Sequence, residues 1–119
     1  MTTLPAEHEL LSVFEAEPEL LDNGVPWAYN SVRFRMVRGQ DQLTCEIEPA
    51  SEQLRIAWHQ AGAELLALDL SEVSALVVEA ERGLESLVAT FRNNHVKPLR
   101  LQLRPRIHLF WGTRTEVAP

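Results

Sequence analysis

Arginine is the residue type through which this sequence has most chemistry to offer. Arg33, Arg35, Arg55, Arg100, Arg104 and Arg106 all lie in stretches where polar and apolar residues alternate, and His108 belongs to the same polar set. If every apolar stripe turns toward one core, these groups collect on the opposite face of a sheet with Glu46 and Glu48 among them. A guanidinium donates two parallel hydrogen bonds to a carboxylate or phosphate, so such a cluster reads as a face for an anion or an acidic partner. The plainer alternative is that each arginine meets a cross-strand glutamate and keeps an exposed sheet soluble.

Other reactive groups are sparse. His8, His59, His95 and His108 are scattered without an HExxH or CxxC spacing, so neither a metal site nor a cofactor is expected. Cys45 alternates with apolar neighbours and is expected to be buried, protonated and inert. No GxSxG, Walker A or GxGxxG pattern occurs, and Glu46 with Glu48 are better explained as partners of arginines than as a catalytic carboxylate pair. Catalysis would require His59 or His108 to meet a carboxylate in a cleft. Trp58 and Trp111 follow core parity. Trp27, beside Tyr29 in a proline-flanked connector, either plugs the end of the sheet or lines a groove between helix and sheet.

The elements that must hold these residues follow from periodicity. From Pro5 to Leu21, Leu10, Leu11, Phe14, Leu20 and Leu21 fall on a helical stripe, which predicts an acidic helix within residues 1–22 that Pro18 ends or bends. From Ser31 the period changes to two. A hairpin centred between Gln40 and Asp41 sets Met36 opposite Cys45, Phe34 opposite Ile47, Arg35 opposite Glu46 and Arg33 opposite Glu48. A third strand after Pro49–Glu52 places Leu54, Ile56 and Trp58 against Ile47, Cys45 and Leu43, with Arg55 meeting Glu46. Leu66, Leu68 and Leu70 suggest a fourth.

Residues 71–93 admit two readings. Val73, Leu76, Val77, Ala80, Leu84, Leu87, Val88 and Phe91 recur at helical spacing, while a hairpin turning at Arg82–Gly83 sets Val78 opposite Leu87 and Leu76 opposite Ala89. The run from Leu99 alternates to Trp111, and Pro105, which lacks an amide donor, is expected at an edge, a bulge or a corner splitting this run into two strands. The expectation is one α+β domain spanning residues 1–119: a helix packed on an antiparallel meander of five to seven strands in a sheet-containing core over 31–112, with a frayed tail at 115–119.

The chain has 119 residues, of which 45% are apolar, and 17 acids against 11 bases give a formal net charge of -6. Residues 1–22 hold six acids and no base, whereas residues 92–119 hold six bases and one acid. This polarity serves internal docking or two partner surfaces. An acidic chain without a recognisable module argues against a nucleic-acid partner. No apolar run approaches the roughly 18 residues of a membrane span, and the N-terminus lacks a signal-peptide pattern, so a cytoplasmic protein is expected. Three function classes result. The first is a small non-catalytic interaction protein of chaperone, adaptor or inhibitor type, with an unidentified protein partner. The second is an anion-binding module, and the third an enzyme with distant partners. The long last strand also offers a homodimer edge.

With residues 71–93 helical, the order of elements is similar to the small acidic chaperones of type III secretion, which have a helix, three strands, a helix and two strands. The basic final strand and the missing last helix depart from that pattern. With 71–93 as a hairpin, the chain resembles the mainly-β immunity proteins of bacterial toxin systems. Both resemblances are of element order and size.

Overall fold

A computed structural model describes residues 1–111; the tail expected at 115–119 lies outside the described residues. Helix α1 (Glu7–Phe14) is followed by β1 (Glu19–Leu20), a 3-10 turn at Trp27–Tyr29, and strands β2 (Val32–Arg38), β3 (Asp41–Glu48), β4 (Gln53–Gln60) and β5 (Ala63–Leu70). Then come β6 (Val73–Glu81), β7 (Leu84–Phe91), β8 (Leu99–Arg104) and β9 (His108–Phe110). The strands form two antiparallel sheets in chain order, β1 to β5 and β6 to β9, rather than one meander. The division falls at Ser71–Glu72, where Glu72 takes a left-handed conformation with φ of 56° and turns the chain out of the first sheet. Backbone bonds then tie the sheets at this corner: Val73 N–H donates to the Glu52 carbonyl and Arg92 N–H to the Glu72 carbonyl, both at 3.0 Å.

Residues 71–93 are a hairpin, not a helix. Val78 faces Leu87 and Leu76 faces Ala89. Gly83, with φ of 79°, supplies the turn that would have interrupted a helix. The first hairpin keeps its predicted faces but not its register. Val32 opposes Ile47, Arg33 opposes Glu46, and Phe34 opposes Cys45, because the turn is made at Gly39–Gln40 with Gly39 left-handed. A shift of two residues leaves every side chain on its own face, so hydrophobic alternation alone does not distinguish the two registers. The third strand pairs as expected, Leu43 with Trp58, Cys45 with Ile56, Glu46 with Arg55 and Ile47 with Leu54.

The acidic helix is shorter than its stripe. The carboxylate of Glu9 accepts a hydrogen bond from the Ala6 N–H at its start, and Glu15, left-handed at φ 54°, ends it. Pro18 cannot continue a helix, and Glu19–Leu20 join the edge of β2 instead, Glu19 opposite Arg33. What α1 buries is Leu10, Val13 and Phe14, with Phe14 stacked on Phe34 of β2 at 4.9 Å between ring centres. The inner faces of both sheets complete the same core, including Leu43, Ile47 and Leu54 from the first and Leu76, Leu87 and Leu101 from the second.

Two arginines act as struts within this arrangement. Arg38 of β2 donates to the backbone carbonyl of Leu103, joining the sheets. Arg104 pairs with Glu85 at 2.7 Å, donates to the Ser12 carbonyl at 2.7 Å, and pairs with Glu15 at the end of α1. The last alternating run is split at Pro105 into β8 and β9, so among the described residues no long final strand forms a sheet edge. Trp111, expected in the core, is 42% exposed. It stacks on Phe91, and its indole N–H donates to the Lys97 carbonyl at 3.0 Å.

Cys45 is fully buried in the core, and that burial pushes its thiol up to about 12. A thiol reagent at neutral pH should therefore leave the native protein unlabelled and titrate one thiol after unfolding; rapid labelling of the native state would contradict this packing. At the corner between the sheets, a hydrogen bond from Arg92 holds the Glu52 carboxyl below its ordinary range. A depressed folded-state value means that this contact contributes above the ordinary carboxylate range and is lost as pH falls through the folded value.

Candidate functional site

The outer face of the five-stranded sheet carries a row of alternating charge across every strand. Glu19 faces Arg33, Arg33 faces Glu46, Glu46 faces Arg55, and Arg55 faces Asp69. Strand pairing sets this order, because a residue directly opposite on the same face lies about 5 Å away, within reach of a long side chain. Arg33 reaches Glu46 at 3.1 Å, and Arg55 reaches Glu46 at 3.0 Å and Asp69 at 3.5 Å. Glu19 turns diagonally to Arg35 at 2.8 Å. Partial burial works against the charge on Arg55, but the carboxylates of Asp69, Glu48 and Glu46 outweigh it and raise its guanidinium above the ordinary arginine value.

Beside this row the side chains become small. Thr44, Ala57 and Ala67 oppose one another on β3, β4 and β5. They floor a trough of about 360 Å³ bounded by Arg33, Glu46, Arg55 and Asp69. A second hollow, sharing Arg33 and Glu46, runs past Leu20, Leu21 and Ser31. A third, sharing Leu21 and Ser31, continues to Tyr29, Glu48 and Ser51. Through these shared lining residues the three hollows follow one another as a track. At its end stand the two most exposed large apolar side chains among the described residues, Leu21 at 83% and Tyr29 at 75%.

Those two anchors are presented by a loop that is tied by hydrogen bonds. Asn30 is buried. Its side-chain amide donates to the carbonyls of Asp22 at 2.6 Å and Val25 at 2.9 Å, and its oxygen accepts from the N–H groups of Asp22 and Ser31. Trp27 closes the other side, its indole N–H donating to the Pro5 carbonyl at 3.3 Å. Removing the Asn30 amide leaves these backbone groups unpaired. Asn30→Ala should therefore lower stability by about 2 kcal/mol in urea unfolding; a loss under about 0.5 kcal/mol would show that the clamp is immaterial.

The expected arginine face thus separates into parts. Arg33, Arg35 and Arg55 share the outer face of the first sheet, each with a carboxylate partner. Arg100 lies on the second sheet and pairs with Glu79 at 2.8 Å. Arg104 belongs to the joint with α1, and Arg106 is exposed in the link between β8 and β9. His108 packs on Phe110, ring centres 4.2 Å apart. One sheet cannot gather these groups because the chain forms two. Of the pair proposed for a groove, Tyr29 lines the track, whereas Trp27 is half-buried against the core as a plug.

The sequence pattern does not mark Glu19, Asp69, Leu21 or Asn30 as site residues. Asp69 had a readable signal, since pairing Leu54 with Leu70 brings Asp69 opposite Arg55. Glu19 and Leu21 were masked by the helical stripe. His59 stands opposite Glu64 in register, with no hydrogen bond between them. Among the described residues, no group of three or more His, Cys, Asp or Glu is placed to hold a metal. Within the same residues, no helix is long and apolar enough to cross a membrane.

No protein-family model matches the chain, and no similar curated protein is found. Among solved structures the chain is similar to one described as a contact-dependent growth inhibition toxin and immunity protein complex from Klebsiella pneumoniae 342, with a TM-score of 0.80. The alignment covers 92% of this chain and 95% of that one at 17% identity, a likeness of fold.

Proposed function

We propose that this chain is a non-catalytic binding protein of the immunity type, which holds one protein partner and blocks it. The observation that carries this reading is the near full-length likeness of fold to a chain of a toxin and immunity protein complex. The track ending at Leu21 and Tyr29 supports it with exposed apolar anchors on a hydrogen-bonded loop beside a row of ion-paired charge. Interfaces concentrate their energy in such anchors. Of the two roles in such a complex, the inhibitor is favoured by chemistry. The acidic chain suits a basic partner. Its outer-face arginines are already engaged, and its one thiol is buried.

The test has two arms. Expression of the chain in bacteria should leave growth unaffected and should protect cells that make the captured partner. The purified pair should bind with a Kd of about 10 nM or tighter. Growth arrest on expression of this chain alone would assign it the opposite role and overturn the reading.

A further inference from the structure

Among the described residues, three of the four sheet edges are shortened or partly covered. β1 has two residues and β9 three. The first half of β6 carries residues 2–3, with Thr2 N–H donating to the Ser74 carbonyl at 2.6 Å and Leu76 N–H to the Thr3 carbonyl at 2.9 Å. β5 is different: an eight-residue strand, Ala63–Leu70, pairs with β4 on one side and with no described element on the other. Its inward leucines Leu66 and Leu68 stay only half-buried at that edge. An open edge of this kind offers a row of backbone donors and acceptors to another strand.

The charges on β5 select what that strand can be. Its ionisable residues are Glu64 and Asp69, both acidic and exposed. The bulge at Trp58/His59 brings both to the outer face, opposite His59 and Arg55, which are four residues apart on β4. A second copy of β5 added antiparallel in the centred register sets Glu64 of one against Asp69 of the other, a like-charge pair. A strand with Lys or Arg at positions i and i+4 sets one of them opposite Asp69 and the other opposite Leu65, beside Glu64, while the apolar residues between face Leu66 and Leu68. β5 is also one wall of the trough, through Ala67 and Asp69.

We propose that β5 is the docking edge for an extended segment of the protein partner bearing two basic residues four apart. This deepens the partner-binding reading by giving the partner's chemistry. The probe is the peptide Thr-Arg-Val-Thr-Val-Lys-Thr, added to the full-length isotope-labelled protein and read by amide shifts and hydrogen exchange. The expected result is saturable shifts and slowed exchange confined to residues 63–70, with half-saturation below about 1 mM. A peptide with Glu in place of Arg and Lys should give none, and the double variant Glu64→Lys, Asp69→Lys, folded by circular dichroism, should reverse that preference. No change on β5 at several millimolar peptide, equal response to both peptides, or a free protein already dimeric with β5 protected would each overturn the proposal. The peptide experiment uses no partner, so its failure leaves the partner-binding reading standing. A partner never found leaves the peptide result intact.

Discussion

Phe34→Ala is expected to lower stability by about 4 kcal/mol, the range for deleting a buried aromatic ring. Phe34 is fully buried and stacked on Phe14, so the substitution opens a cavity where α1 meets the first sheet. Leu10 and Val13 pack into the same core, and Arg104, which pairs with Glu15 and Glu85, adds a polar link between the helix and the second sheet. Much of a typical domain's stability of about 5 to 15 kcal/mol is at stake. Urea unfolding should show the loss as a lower midpoint at nearly unchanged slope, and Phe34→Leu should recover most of it. With Phe14→Ala, the double-mutant cycle should return a coupling of about 1 kcal/mol for the stacked pair. A Phe34→Ala loss under about 1.5 kcal/mol would show that the joint between helix and sheet is not packed as described.

The second large effect is on binding and leaves stability alone. Leu21→Asp with Tyr29→Ala should weaken the purified partner complex at least about 100-fold, because truncated central anchors commonly cost 2 kcal/mol or more each. Both side chains are largely in solvent in the free protein, so the thermal midpoint should move by no more than a few degrees. Arg55→Ala should weaken binding less while destabilising the sheet slightly, since it removes the centre of the ion-paired row. Unchanged affinity in the Leu21, Tyr29 variant would place the interface elsewhere.

Much of the fold was legible because two-residue periodicity fixes which face a side chain occupies. The pairing of β3 with β4 was read correctly down to Glu46 and Arg55, since apolar pairs and opposite charges agreed on one register. The hairpin of β2 and β3 was misread by two residues for the reason that faces do not change under that shift, and only the left-handed Gly39 fixes the turn. Residues 71–93 carry both a helical stripe and a strand alternation, so local sequence left the choice to the turn at Gly83 and to pairing with β8.

Less of the site was legible. The arginine face depended on a single sheet, and nothing local to Ser71 or Glu72 announces that the chain leaves the first sheet there. Glu19 and Leu21 have helical spacing from Leu10 and Phe14, yet Pro18 and the left-handed Glu15 release them to the edge of β2. Asn30 gave no periodic signal at all; its role depends on four hydrogen bonds within a loop that only folding assembles.

The most direct test of the binding account is hydrogen exchange on the full-length protein, free and saturated with its purified partner. The account predicts slowed exchange along the loop at residues 21–31 and on β5, at the two ends of the track, with β6 to β9 unchanged. Protection confined to the outer face of the four-stranded sheet, around Val77, Leu84 and Phe110, would contradict it.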